Sequence, residues 1–265
     1  MTFPIPPRSR TKRDVAYVDV GDGEPVVLLH GVGLRLEAWQ PQLDVLSRSH
    51  RVIALDLPGH GGSAPLLSGS LLPAFVEWFI CALDDLGLDT VNVAGHSMGA
   101  LIAGGCAITA GERVHRVALL GTVHRRDPAA AAAVKARAVE IAGGQLDRLA
   151  PLARWFDTDE LASEPSLSIA RWLSDVDLNG YATAYGAFAE GDRVYGDAWS
   201  TVACPALFLT GELDANSTPQ MSRDLASAAP NGEVCVIAGH RHMVNMTAPD
   251  AVNAALGQWL TRKEV

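Results

Sequence analysis

The 265-residue chain reads as an α/β protein: a mostly parallel sheet covered by helices, with a helical insertion in the second half. Three observations predict this. Short β-rich runs alternate with helical patterns from about residue 14 to 122. Those runs are apolar almost without interruption, as strands buried on both faces should be. The strand rhythm then lapses between about 123 and 200 and returns afterwards.

Taken in order, "DVAYVDVG" (14–21) alternates in polarity and is expected as an antiparallel edge strand. "PVVLLH" (25–30), "RVIALD" (51–56), "TVNVAG" (90–95) and "RVALLG" (116–121) are predicted as buried strands. "LLPAFVEWFICALDDLG" (71–87) reads as a helix stopped by Gly87. The insertion opens with "DPAAAAAVKARAVEIAGG", where Asp127 is an expected N-cap, Pro128 takes the first helical position, and Gly143 and Gly144 end the helix. "PALFLTG" (205–211) and "EVCVIAG" (233–239) restore the strands, and a last helix starts at Pro249. The expected organisation is a core of residues 1–122 and 201–265 with a helical cap over 123–200.

Composition narrows the function classes. With 48% hydrophobic and 19% charged residues, the chain has ordinary globular character. Lys plus Arg number 21 against 30 Asp plus Glu, a net charge of −9, which argues against nucleic acid or an anionic membrane as partner. The N-terminal "MTFPIPPRSRTKRD" lacks the apolar core of a signal peptide and reads as a loose arm of a cytoplasmic protein. Cys81, Cys106, Cys204 and Cys235 form no C-x-x-C pair and are expected as buried free thiols. The eight histidines are scattered, and "HRH" (240–242) has no carboxylate at ligand spacing, so neither a metal nor a cofactor is expected.

Four segments carry chemistry. "VNVAGHSMGALIAGG" (91–105) sets Ser97 between Gly95 and Gly99 after a strand and before a small-residue helix. A G-x-S-x-G match alone arises by chance in roughly one such chain in ten, so its setting decides. A serine needs a base and an oxyanion site, and this strand–turn–helix lifts the hydroxyl above the sheet. "LLHGVGL" (28–34) can present the Val32 N–H beside that of Met98 as two oxyanion donors. "LTGELDANSTP" (209–219) puts Asp214, with Glu212 as competitor, past a strand's C-terminal end. "IAGHRHMVNMTAPD" (237–250) offers two bases, His240 and His242.

These residues resemble the α/β-hydrolase superfamily, whose fold implies a mostly parallel, eight-stranded sheet with an inserted cap. "HGVG", "DLPGHGGS" (56–63), "GHSMG", "GELD" and "GHRH" follow in the family's order. Aligned on Gly239 and Pro249, the resemblance makes His242 the base and His240 a structural neighbour. Thr247 stands where many members carry glutamate, with an expected effect on helix capping. Asp56 and His60 read as structural. Serine at the nucleophile position separates the chain from haloalkane dehalogenases and epoxide hydrolases, which place aspartate there.

The cap pattern is similar to 3-oxoadipate enol-lactonases and small carboxylesterases. Eight of 16 aromatics fall between 151 and 200, as a small, largely apolar pocket needs. Substrate contacts are expected from His30, Trp39, His124, Arg125, Trp155 and Tyr185, with Arg125 and Arg126 able to receive a carboxylate. The expected activity is hydrolysis of a small ester or lactone by Ser97, His242 and Asp214, in a monomer or homodimer. The alternative is a C–C bond hydrolase of meta-cleavage-product type, although Met243 stands where those enzymes commonly carry tryptophan.

Overall fold

The computed structural model describes residues 5–145 and 147–263. Eight strands form one sheet: β1 (Ser9–Arg10), β2 (Ala16–Val20), β3 (Pro25–Leu29), β4 (Arg51–Leu55), β5 (Val91–His96), β6 (Val114–Leu120), β7 (Ala206–Gly211) and β8 (Gly232–Ile237). Their spatial order is β1-β2-β4-β3-β5-β6-β7-β8. β1 and β2 run antiparallel at one edge, and every pairing from β4 to β8 is parallel. All seven strands expected from the sequence are present. The continuous apolar runs have the predicted cause, because β3, β5 and β7 are buried along nearly their whole length.

Helices α1 (Gln40–Leu46), α2 (Leu72–Asp85), α3 (Met98–Thr109), α8 (Pro219–Ala228) and α10 (Pro249–Leu260) flank the sheet, and the single turn α9 (Val244–Thr247) precedes the last. One face packs Phe75, Phe79, Met98 and Phe208, largely from α2 and α3. The other packs Trp39, Leu43, Leu256 and Trp259, chiefly from α1 and α10. Between β6 and β7 the chain makes α4 (Pro128–Ala142), α5 (Ala150–Trp155), α6 (Glu164–Asp175) and α7 (Leu178–Gly191) and no strand among the described residues. Asp127 caps α4 as expected, accepting from the Ala130 N–H at 2.8 Å. α4 packs on α7, and α7 in turn rests on α2 and α3.

Two expectations fail here. The N-terminal arm is not loose over its described part, residues 1–4 lying outside the described residues: Arg8 donates to Asp56 at 2.6 Å and to Glu37 at 2.7 Å, and Ser9–Arg10 pairs with β2. Asp56 also accepts from the amides of Leu36 and Gly62, so this buried carboxylate ties three segments together. Composition alone hid this, because the arm's partner lies 48 residues away. Of the four free cysteines only Cys106 and Cys204 are buried, whereas Cys81 and Cys235 are half-buried.

Candidate active site

Ser97 is the single residue between β5 and α3, at φ 54°, ψ −113°. A residue with a side chain reaches that region at a cost of order 1–3 kcal/mol, which the surroundings must offset. The Ser97 N–H donates to the Leu120 carbonyl of β6 at 2.8 Å, and its own carbonyl accepts from Ala100 and Leu101. The flanking glycines are needed for close approach. A Cβ on Gly95 would lie 2.1 Å from the Gly99 carbonyl oxygen, and one on Gly99 would lie 2.2 Å from that of Leu29. That contact is possible because β3 and β5 are neighbours, with Leu29 opposite Gly95.

β7 and β8 are also neighbours, and their C-terminal loops bring Asp214 and His242 together. His242 Nδ1–H donates to Asp214 Oδ2 at 2.7 Å, with both residues buried. Asp214 Oδ1 accepts from the amides of Asn216 and Ser217 at 2.8 and 3.0 Å, so the carboxylate is held at both oxygens. Burial is the largest influence on its acidity and opposes ionisation. The His242 ring and the two amides outweigh it, and the carboxyl is held below its ordinary value. The His242 ring lies 4.8 Å from the His96 ring and 6.0 Å from the Trp155 ring. The competitors are engaged elsewhere. Glu212 accepts from the Gly239 N–H at 2.9 Å, and His240 Nδ1 meets the Thr247 hydroxyl at 3.0 Å. Thr247 thus holds His240 instead of capping α10, whose N-cap is Ala248.

The turn after β3 completes the arrangement. The Leu34 N–H donates to the Gly31 carbonyl at 3.1 Å, with Gly33 at φ 79°. The Gly33 N–H donates to His60 Nε2 at 2.9 Å, so His60 acts as a prop for the turn. Gly31 brings this turn against Ser97, since a Cβ there would sit 3.1 Å from Ser97 Cβ. Val32 lines the cavity shared by Ser97 and His242. Met98 takes the first position of α3, where amides lack an acceptor within their own helix.

Burial has a measurable consequence for two histidines. His30 and His96 are each pushed down to about 3, by desolvation first and then by a neighbouring histidine, His60 or His242 respectively. Their protons are therefore taken up on unfolding. Their stabilisation is complete above about pH 6.5 and is lost as pH falls toward 3. Urea midpoints should drop steeply from pH 6.5 to 4, and His30→Asn should flatten that slope. A midpoint that is flat over the same range would contradict the assignment.

The cavity over Ser97 has a volume of about 180 Å³ and is walled by Trp155, Tyr181, Tyr185 and Phe188. Trp155 and Tyr185 stand where expected, but four other candidates do not. His30 is fully buried, its Nε2 accepting from the Leu57 N–H and its Nδ1 on the Gly31 carbonyl, so it braces the loops. Trp39 packs in the core on the opposite face of the sheet. His124 points into a separate small cleft beside Tyr195 and Trp199. Arg125 is exposed and paired with Asp197. Its neighbour Arg126 does reach the cavity, yet it is neutralised by Asp192 at 3.1 Å. Arg137 and Arg154 also line the cavity, and sequence reasoning missed both. A signal existed for Arg137: Ala130, Ala133, Val134 and Arg137 share one helical stripe, and all four face the cavity.

Residues 26–255 match the family described as the alpha/beta hydrolase family. The chain belongs to that family. This α/β hydrolase is 47% identical over 248 residues to the (E)-2-((N-methylformamido)methylene)succinate hydrolase of Acinetobacter baylyi, covering 94% of each chain. Its fold is also similar to the enol-lactonase of Burkholderia xenovorans, with TM-score 0.85, 26% identity, and 97% of this chain and 100% of that one covered. A malate-bound esterase of Thermogutta terrifontis gives TM-score 0.86 at 25% identity, covering 96% and 98%. No helix among the described residues is long and apolar enough to cross a membrane.

Proposed function

We propose that this α/β hydrolase is a serine hydrolase that attacks the acyl carbon of a small conjugated substrate, cleaving a bond other than a simple ester. The observation that carries the reading is the meeting, on one small cavity, of an elbow serine and a histidine fixed by a buried carboxylate. His242 Nε2 takes the Ser97 proton as Oγ bonds to the acyl carbon, and Asp214 holds the imidazole tautomer. The oxyanion rests against the Val32 and Met98 N–H groups. His242 returns the proton to the leaving group, and water then releases the acyl group and restores Ser97. Residues 123–200 act as a cap that keeps bulk water from this chemistry.

The choice of bond draws on the relatives. The substrate for which the Acinetobacter baylyi relative is named carries neither ester nor lactone; its formyl group is joined through nitrogen to a carbon–carbon double bond. At 47% identity that favours the C–C-hydrolase-like alternative, with a conjugated leaving group, over ester or lactone cleavage. The likeness to an enol-lactonase and an esterase supports ester or lactone hydrolysis as the second reading. Purified protein assayed against conjugated dienones and enamides, lactones and p-nitrophenyl esters separates the two. The conjugated non-esters should give the highest kcat/KM, and a lactone or ester turned over tenfold better would reverse the order.

A further inference from the structure

Three arginines face the cavity, and they are not equivalent. Arg126 is committed: its guanidinium pairs with Asp192, its backbone N–H donates to the same carboxylate at 2.7 Å, and it lies 4.4 Å over the Phe188 ring. Arg137 donates only to the Tyr185 hydroxyl, at 3.0 Å, among the described residues. The Arg154 side chain makes no hydrogen bond and no ion pair within 4.0 Å among them. No described carboxylate lies within 4.0 Å of either Arg137 or Arg154.

Both are half-buried, and the charge of one bears on the other: desolvation first, then Arg137, pulls Arg154 below its ordinary value. Two like charges held together with no described carboxylate in direct contact, Asp147 acting on Arg154 only at longer range, are costly in a partly desolvated site. In a chain of net charge −9, acidic groups were available to neutralise them. Glu140 and Asp147 come no nearer than the outer side, where a vestibule of about 690 Å³ shares Arg137, Pro151, Arg154 and Tyr181 with the inner cavity. The pair therefore lines both the cavity over Ser97 and the vestibule outside it.

We infer that Arg137 and Arg154 form a dianion site that selects a short dicarboxylate and directs its acyl group inward to Ser97. The inference rests on the hydrolase reading above for what happens next, but not for binding itself. Two unpaired guanidiniums match two carboxylates in charge, and each can take one bidentately. The remaining wall, with Val123, Val134, Trp155 and Phe188, suits an apolar or unsaturated carbon chain. A cavity of about 180 Å³ falls below the roughly 300 Å³ at which drug-sized sites begin, which restricts the ligand to a small acid.

The test is titration calorimetry of the full chain with 2-methylenesuccinate and with its neutral diamide. The dianion should bind at least tenfold more tightly than the diamide, and its affinity should fall as salt rises. Arg137→Gln and Arg154→Gln should each weaken the dianion by about 10-fold or more, as expected for a lost charge-assisted hydrogen bond. The double variant should bind dianion and diamide alike, while Arg125→Gln should change nothing. Equal binding of both compounds by the wild type, absence of dianion binding, or full affinity in the double variant would overturn the assignment. If the variants fail to fold, the salt and diamide comparisons on the wild type decide it. Dianion binding by a protein that turns over none of the conjugated, lactone or ester substrates above would sink the Ser97 mechanism and leave the dianion site standing.

Discussion

Ser97→Ala is expected to lower kcat by about 10⁶-fold while leaving the fold and substrate affinity nearly intact. Loss of a triad nucleophile has an effect of that size because no other group can form the acyl intermediate. Affinity should survive because the cavity walls and the three arginines do not depend on the hydroxyl. Stability should change little, since alanine meets the same backbone geometry and the Ser97 N–H bond to Leu120 is retained. Single-turnover kinetics beside a melting curve would check this. A variant that kept even 1% of wild-type kcat would place the chemistry elsewhere.

The second large effect discriminates between two histidines only two residues apart. His242→Ala should remove nearly all turnover, leaving at most the ~10³–10⁴-fold advantage over water that an oxyanion site and binding provide. His240→Ala should lose far less, because His240 is tied to Thr247 and lies 4.0 Å from Glu160 on the cap side. Asp214→Asn should fall near His242→Ala, by about 10⁴-fold, through the wrong imidazole tautomer. Steady-state kinetics on the three variants decide it. A His240→Ala loss larger than that of His242→Ala would reverse the assignment of the base.

Most of the scaffold was legible because its determinants are local. Buried strands announce themselves as unbroken apolar runs, and Asp127 with Pro128 marks a helix start within four residues. The Ser97 elbow was legible for a related reason, since Gly95 and Gly99 are demanded by backbone contacts immediately around the serine. What stayed hidden is set by long-range packing. Arg8 reaching Asp56, Trp39 turning to the far face and His30 bracing Leu57 all depend on partners many residues away. The cavity's charge was hidden in the same way. "HRR" (124–126) looked like the basic mouth, yet Arg125 and Arg126 both find acidic partners. Arg137 and Arg154, each isolated in the sequence, are the cavity arginines with no carboxylate within 4.0 Å among the described residues.

In the proposed mechanism Ser97 alone among the serines is activated, by His242 and an oxyanion site at Val32 and Met98. Its most direct test is labelling of the native wild-type protein with a fluorophosphonate, followed by peptide mapping. One label per chain is expected, on Ser97, absent from the Ser97→Ala and His242→Ala proteins. A label on another residue, or none in a folded and active sample, would contradict it.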